Sequence, residues 1–92
     1  MAQLTPTTNA SLPLCRGEFE TVHEGLDYAA RGETGCNFYS SRGELAEALG
    51  YREIRDRARE LACAFDRLGL ARGERVAIIA ETTPDFLIFF FA

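Results

Sequence analysis

The 92-residue sequence predicts an α/β fold from three observations. A helical apolar stripe runs along residues 51–68, an unbroken apolar run follows at residues 75–80, and a helix-start signal comes directly after it. Apolar residues on consecutive positions indicate a strand that is covered on both faces, as in a parallel sheet. The predicted order is helix, strand, long helix, buried parallel strand and truncated helix. This order is typical of a layered α/β fold with a right-handed crossover.

The amino-terminal part is predicted to contain a leader and a first helix. Residues 1–17 are rich in Thr, Asn, Ser and Pro and show no periodicity, which predicts a flexible leader. Thr21 and Glu24 have the spacing of a capping box, in which each side chain accepts a hydrogen bond from a free amide of the first turn. A helix over about residues 21–31 is therefore expected.

A short strand and an ambiguous segment follow. The aromatic stretch at residues 37–40 lies between Gly35 and Gly43, which predicts a strand of about five residues. Residues 45–49 fit either a helical turn or the return strand of a hairpin.

The long helix at residues 51–68 has the strongest signal in the chain. Its apolar positions fall within one sector of the helical wheel. These positions are Tyr51, Ile54, Ala58, Leu61, Ala62, Phe65 and Leu68. Gly69 is predicted to end the helix, and Glu53 and Arg57 are spaced as an ion pair on its polar face.

The last predicted element begins at Thr83. Thr83 can cap a helix, Pro84 suits its first position, and Asp85 places an acid in its first turn. The sequence then continues as an unbroken apolar run to Ala92, so we expect residues 18–92 to be a fragment of a larger domain.

Charge and composition exclude several classes of function. The chain has 14 acidic residues against 10 basic residues, a net charge of −4, whereas nucleic-acid binding needs clustered positive charge. All the basic residues are arginine, so the sequence has no Walker or Schiff-base lysine. Its three cysteines fit neither a disulfide framework nor a zinc site, which favours a cytoplasmic location, and no segment is long enough for a membrane span.

The predicted α/β fold would place a ligand only at Glu81, Thr82 and Thr83. This position lies between the carboxyl end of a parallel strand and the start of a helix, where free amides attract anions. Glu81 would repel a phosphate, however, and the capping signals are complete. We therefore interpret these residues as a helix cap.

The remaining candidates are also best explained by structure. His23 and Cys63 lack neighbouring groups for metal binding or thiol catalysis. The other features considered are the carboxylate pairs Glu44 with Glu47 and Asp56 with Glu60, the two-glycine turn at residues 69–73, and the aromatic cluster Phe89, Phe90 and Phe91. The pairs are expected to be solvated, the turn lacks a nucleotide fingerprint, and the phenylalanines are expected in a core or an interface. The sequence thus predicts no catalytic, cofactor-binding or metal-binding residue.

Several of these segments resemble the opening of the adenylate-forming, or AMP-binding, acyl synthetases. The matching residues are Tyr51-Arg52-Glu53-Ile54, Ala58, Leu61-Ala62, Leu68-Gly69-Leu70, Gly73-Glu74-Arg75-Val76-Ala77-Ile78 and Glu81-Thr82-Thr83-Pro84-Asp85-Phe86. Leu26-Asp27-Tyr28-Ala29-Ala30-Arg31-Gly32 and Asn37-Phe38-Tyr39-Ser40 are similar to the fatty-acyl-AMP ligases of that superfamily. The resemblance covers about residues 19–92.

The resemblance implies a parent enzyme that activates a fatty acid with ATP and Mg²⁺ as an acyl adenylate. Transfer to a carrier-protein thiol or to coenzyme A would follow. The family's ATP-binding motifs and catalytic lysine have no matching positions here. The segment is therefore expected to be a scaffold for the rest of the parent chain and to be inactive alone.

Two alternatives remain open at this stage. The parent enzyme could be an acyl-CoA synthetase instead of an acyl-AMP ligase. The segment could also be a small interaction module with no catalytic role, in which the carboxyl-terminal phenylalanines bind a partner.

Overall fold

Three helices and one antiparallel hairpin form the described part of this computed structural model, residues 12–13 and 16–92. In chain order they are α1 (Val22–Ala29), β1 (Gly35–Tyr39), β2 (Leu45–Gly50), α2 (Tyr51–Arg67) and α3 (Pro84–Phe91). The predicted mixed α/β class is confirmed. Most of the predicted leader, residues 1–17, lies outside the described residues.

Helix α1 begins at the predicted cap. The Thr21 side chain accepts a hydrogen bond from the Glu24 amide at 3.3 Å. The Glu24 carboxylate, expected to accept from the Thr21 amide, accepts from the neighbouring Glu20 amide at 3.1 Å. The preceding segment folds back on the helix, because the Phe19 and Tyr28 rings lie 5.7 Å apart. The Tyr28 hydroxyl also donates a hydrogen bond to the Pro13 carbonyl at 2.6 Å.

The ambiguous segment at residues 45–49 is the return strand of a hairpin. Strand β2 pairs antiparallel with β1, with Gly35 opposite Gly50 and an irregularity between Phe38 and Tyr39. A side chain at Gly35 would clash with the carbonyl oxygen of Leu49 and would lie 2.7 Å from the Gly50 Cα atom. Glycine at position 35 therefore permits the close approach of the two strands.

Helix α2 follows β2 without a loop and carries the predicted core face. Ile54 is fully buried and Ala58 is 4% exposed. Its end is a Schellman motif, because Gly69 has φ of 87° and the Leu70 amide donates to the Phe65 carbonyl at 3.1 Å. The prediction that Leu68 belongs to the core face was wrong. Leu68 lies beyond the last helical residue and is 83% exposed.

One cluster in the core takes a residue from each of four elements. Leu26 of α1, Leu49 of β2, Ile54 of α2 and Ile88 of α3 form one buried cluster. Partly buried side chains of β1, α2 and α3 pack around this cluster. Helix α2 therefore provides the surface on which the hairpin and the other two helices meet.

The predicted buried parallel strand is not formed. Residues 75–80 have neither helical nor strand structure, and Ile79 is 100% exposed. A strand requires backbone partners, and in the described residues β1 and β2 pair only with each other. The right-handed crossover predicted with this strand is therefore also absent from the described residues. Helix α3 does begin as expected, with Thr83 at the cap position and Pro84 first, although the Thr83 side chain makes no capping bond.

The close strand approach leads to a stability test at Gly35. Gly35→Ala should lower the free energy of unfolding by about 2 kcal/mol, because the new methyl group must displace the backbone of β2. Gly50→Ala is the matched control, since a methyl group there would meet its nearest neighbour, the Thr34 carbonyl oxygen, at 3.9 Å. Urea unfolding followed by circular dichroism measures both. Equal losses in the two variants would contradict the proposed steric constraint.

Candidate functional site

Residues 81–83, the position at which the sequence suggested a ligand, lie beside the hairpin. Residues 81–85 face Phe38, Tyr39 and Glu47 across an open cavity of about 570 Å³. Backbone hydrogen bonds form within this turn. The Thr83 amide donates to the Glu81 carbonyl at 2.9 Å. The Phe86 amide donates to the Thr83 carbonyl at 3.1 Å. Thr83 thus occupies the cap position of α3, as the sequence indicated, although its side chain makes no capping bond.

The charges around this cavity disfavour an anionic ligand. Three carboxylates line it, from Glu47, Glu81 and Asp85, against the single guanidinium of Arg57. Arg57 already pairs with Glu53 at 3.2 Å, the ion pair predicted from their spacing. A phosphate placed here would meet net negative charge.

A second cavity is almost entirely apolar. Its volume is about 320 Å³, and its walls are residues 76–80 on one side and Phe65, Phe86 and Phe89 on the other, with Asp85 at its edge. The Phe65 and Phe89 rings lie 5.9 Å apart and join α2 to α3. We call this cavity the phenylalanine groove. The sequence placed Phe89, Phe90 and Phe91 in a core or an interface. Phe91 packs against the core, whereas Phe89 and Phe90 are 45% and 55% exposed.

The side chains first considered for catalysis are dispersed over the surface. His23 and Cys63 are exposed, as are Glu44, Glu47, Asp56 and Glu60. Asp56 pairs with Arg55 at 3.0 Å, and the His23 ring lies 3.4 Å from the Thr21 hydroxyl. The structure therefore does not bring these groups together into a catalytic arrangement.

The residues present also do not fit a magnesium–ATP site. Across residues 12–13 and 16–92, no three side chains of His, Cys, Asp or Glu are grouped to hold a metal ion. We therefore assign neither Mg²⁺ nor ATP to these residues. Within the same ranges, no helix has both the length and the apolar content to cross a membrane.

One polar contact between two partly buried residues was not predicted from the sequence. Tyr51, the first residue of α2, packs against the core together with Cys36 of β1. Burial raises the pKa of the Tyr51 hydroxyl above its ordinary value of 10.0, and the neighbouring Cys36 side chain adds to the rise electrostatically and through a hydrogen bond. The two residues are 15 positions apart in sequence, and only the hairpin brings them together. No local pattern could have indicated this pair.

The start of α2 is tied to α1 and β1 by its backbone and an arginine. The Tyr51 amide donates to the Thr34 carbonyl at 3.0 Å. Arg52 Nε donates to the Ala30 carbonyl at 3.1 Å, a partly buried contact. These bonds orient α2 relative to the hairpin.

Comparison with known proteins establishes the family. The family described as AMP-binding enzyme matches residues 29–92, which include β1, β2, α2 and α3. The chain belongs to the AMP-binding enzyme family. The resemblance noted in the sequence is thereby confirmed for the superfamily.

A curated relative is much longer than the present chain. A "putative acyl-CoA synthetase" from Caulobacter vibrioides (strain NA1000 / CB15N) is 49% identical over 92 residues. The match covers 99% of this chain but 16% of the relative. No solved structure matches the chain. The present sequence therefore spans about one sixth of the length of this relative.

The Tyr51 environment predicts a pH dependence of stability. Since the folded-state pKa lies above the unfolded value, the stabilisation is complete below about pH 10 and is lost as the pH rises through the folded pKa. Tyr51→Phe should remove this loss, so its free energy of unfolding should fall less steeply above about pH 10. Urea unfolding at a series of pH values measures the slope.

The matched control for this test is Tyr39→Phe, because the Tyr39 side chain is 58% exposed. Tyr39→Phe should keep the slope of the unsubstituted chain. An unchanged slope in Tyr51→Phe would contradict the assigned environment.

Proposed function

We propose that this chain is the amino-terminal scaffold of an acyl-activating synthetase. The observation that carries the proposal is the family match over residues 29–92, supported by 49% identity to the Caulobacter relative across nearly the whole chain. The reaction proposed for the complete enzyme is attack of an acyl carboxylate on the α-phosphate of ATP. This step forms an acyl adenylate and releases pyrophosphate.

The contribution of these residues to that reaction is structural. Their polar side chains are dispersed and the cavity beside α3 is negatively charged, so neither feature suits binding of a nucleotide phosphate. The core around Ile54 instead fixes α2, α3 and the hairpin relative to one another. We propose that ATP, Mg²⁺ and the acyl substrate bind to parts of the enzyme beyond this segment, and that the segment alone is inactive.

The acyl group and its acceptor are finer proposals. A fatty acid is the proposed substrate, on the resemblance of residues 26–32 and 37–40 to fatty-acyl-AMP ligases. The same resemblance supports a carrier-protein acceptor, whereas the name of the Caulobacter relative supports coenzyme A. A cytoplasmic location is proposed from the cysteine pattern alone. Family membership favours a synthetase over a self-contained interaction module.

A chimeric enzyme tests the proposed function. In it, this chain replaces the matching first sixth of the Caulobacter relative. The chimera should release pyrophosphate from ATP in the presence of Mg²⁺ and a fatty acid, within about tenfold of the rate of the Caulobacter protein. Assays with a series of chain lengths, with and without coenzyme A, identify the acyl group and the acceptor.

The control is the Caulobacter relative from which the first sixth has been deleted, and it should show no acyl-dependent pyrophosphate release. A folded chimera that releases no pyrophosphate with any acyl acid, beside an active Caulobacter protein, would contradict the proposal. So would a Caulobacter protein that is itself folded but inactive with every acyl acid.

A further inference from the structure

The segment before α1 folds onto that helix through an aromatic side chain. We call residues 16–21 the strap. The Phe19 ring of the strap lies 5.7 Å from the Tyr28 ring, at an interplanar angle of 40°. It also covers Gly25, since a methyl group added there would lie 3.5 Å from the ring. Tilted aromatic pairs at this distance attract each other beyond the effect of burial alone. One ring therefore attaches the strap to α1.

Tyr28 makes a second attachment, to a residue that precedes the strap. Its hydroxyl donates a hydrogen bond to the Pro13 carbonyl at 2.6 Å, across 15 positions of the sequence. On the same ring, the Arg31 guanidinium carbon lies 5.7 Å from the centroid, within the range of a cation–π contact. Tyr28 thus contacts one side chain of its own end of the helix and two residues that come before the helix.

The strap is separate from the core. Its residues are all exposed, and the buried cluster around Ile54 includes none of them. The side chains packed around that cluster come from β1, α2 and α3. Segments with few buried apolar contacts open at a lower free energy than the core of the same protein. The contacts of the strap can therefore be lost while the core remains intact.

Gly25, in the middle of α1, is explained by the strap. Glycine in a helix interior is less stable than alanine. At this position the Phe19 ring leaves room for a methyl group at ordinary contact distance, whereas a longer side chain would compete with the ring for the same surface. A small residue at position 25 is therefore a condition for seating the ring.

We propose that the strap is a conformational device, held closed on α1 by Tyr28 and the surface at Gly25, which opens as one unit while the core stays folded. Opening uncovers the Tyr28 ring and frees its hydroxyl, while the cluster around Ile54 still holds α1, α2 and the hairpin together. The inference does not depend on the proposed function, because every contact on which it rests lies within this chain.

Limited digestion with trypsin measures the opening, because trypsin cleaves after arginine. Arg16 lies between the two attached residues, Pro13 and Phe19, so cleavage after Arg16 requires the strap to leave α1. Arg57 lies within α2 and precedes the buried Ala58, so cleavage after Arg57 requires the core to unfold. When opening and closing are fast relative to cleavage, the rate follows the population of the open form.

Tyr28→Phe tests the hydroxyl attachment, because it keeps the ring and removes the donor. Cleavage after Arg16 should become about fivefold faster, the effect of one lost hydrogen bond, and cleavage after Arg57 should be unchanged. Tyr39→Phe is the matched control, since Tyr39 lies in β1 and is 58% exposed. It should leave both rates unchanged.

Gly25→Leu tests the seat of the ring. Cleavage after Arg16 should become at least about fivefold faster, because the new side chain displaces the Phe19 ring, even though leucine favours a helix more than glycine does. Gly25→Ala is the matched control, since its methyl group meets the ring at 3.5 Å, an ordinary contact. It should not accelerate cleavage after Arg16.

The digestion is carried out on the 92-residue chain and on the chimera described above. Unchanged cleavage after Arg16 in both Tyr28→Phe and Gly25→Leu would overturn the proposal, because α1 would then not hold the strap. Equal acceleration after Arg16 and Arg57 would also overturn it, since the strap would then open only with the core. Neither outcome depends on pyrophosphate release, so this test and that of the proposed function can fail separately.

Discussion

The burial of Ile54 is the constraint on which the rest of the structure depends. Its side chain is fully buried in a cluster with residues of α1, β2 and α3, so this cluster joins four elements. The surrounding polar contacts are weaker, because the ion pair between Arg59 and Asp27 at 3.1 Å is exposed and such pairs contribute at most about 1 kcal/mol. Apolar packing on α2, more than charge, therefore determines the arrangement of this segment.

Elements with complete local signals were predictable from the sequence. The capping residue Thr21, the apolar stripe of α2 and the terminating Gly69 each act within a few residues of the element they define, so α1 and α2 lie where the sequence indicated. Residues 45–49 were ambiguous because strand pairing depends on a distant partner. Residues 75–80 have the composition of a strand but have no neighbouring strand among the described residues. Their pattern thus predicts a requirement for partners more reliably than it predicts a local structure.

The features of the candidate site also differ in how far they could be predicted from the sequence. That Glu81, Thr82 and Thr83 form a helix cap could be predicted, since capping depends on adjacent residues and the charge of Glu81 is evident in the sequence. The pairing of Tyr51 with Cys36 and the exposure of the phenylalanine groove depend on the tertiary arrangement. The family was accessible from the sequence because its turn and apolar strand form a recognisable pattern. The acceptor and acyl group were not, because no residue of this segment contacts them in the proposed function.

The most direct test of this account is the effect of Ile54→Ala on the free energy of unfolding. The measurement is urea unfolding of the dilute 92-residue chain, followed by helical circular dichroism, with the exposed position Val22→Ala as the control. Loss of the buried methyl groups should cost about 3 kcal/mol or abolish the cooperative transition, whereas the control should change the free energy by less than about 0.5 kcal/mol. Similar small changes in both variants would contradict a structure organised around Ile54.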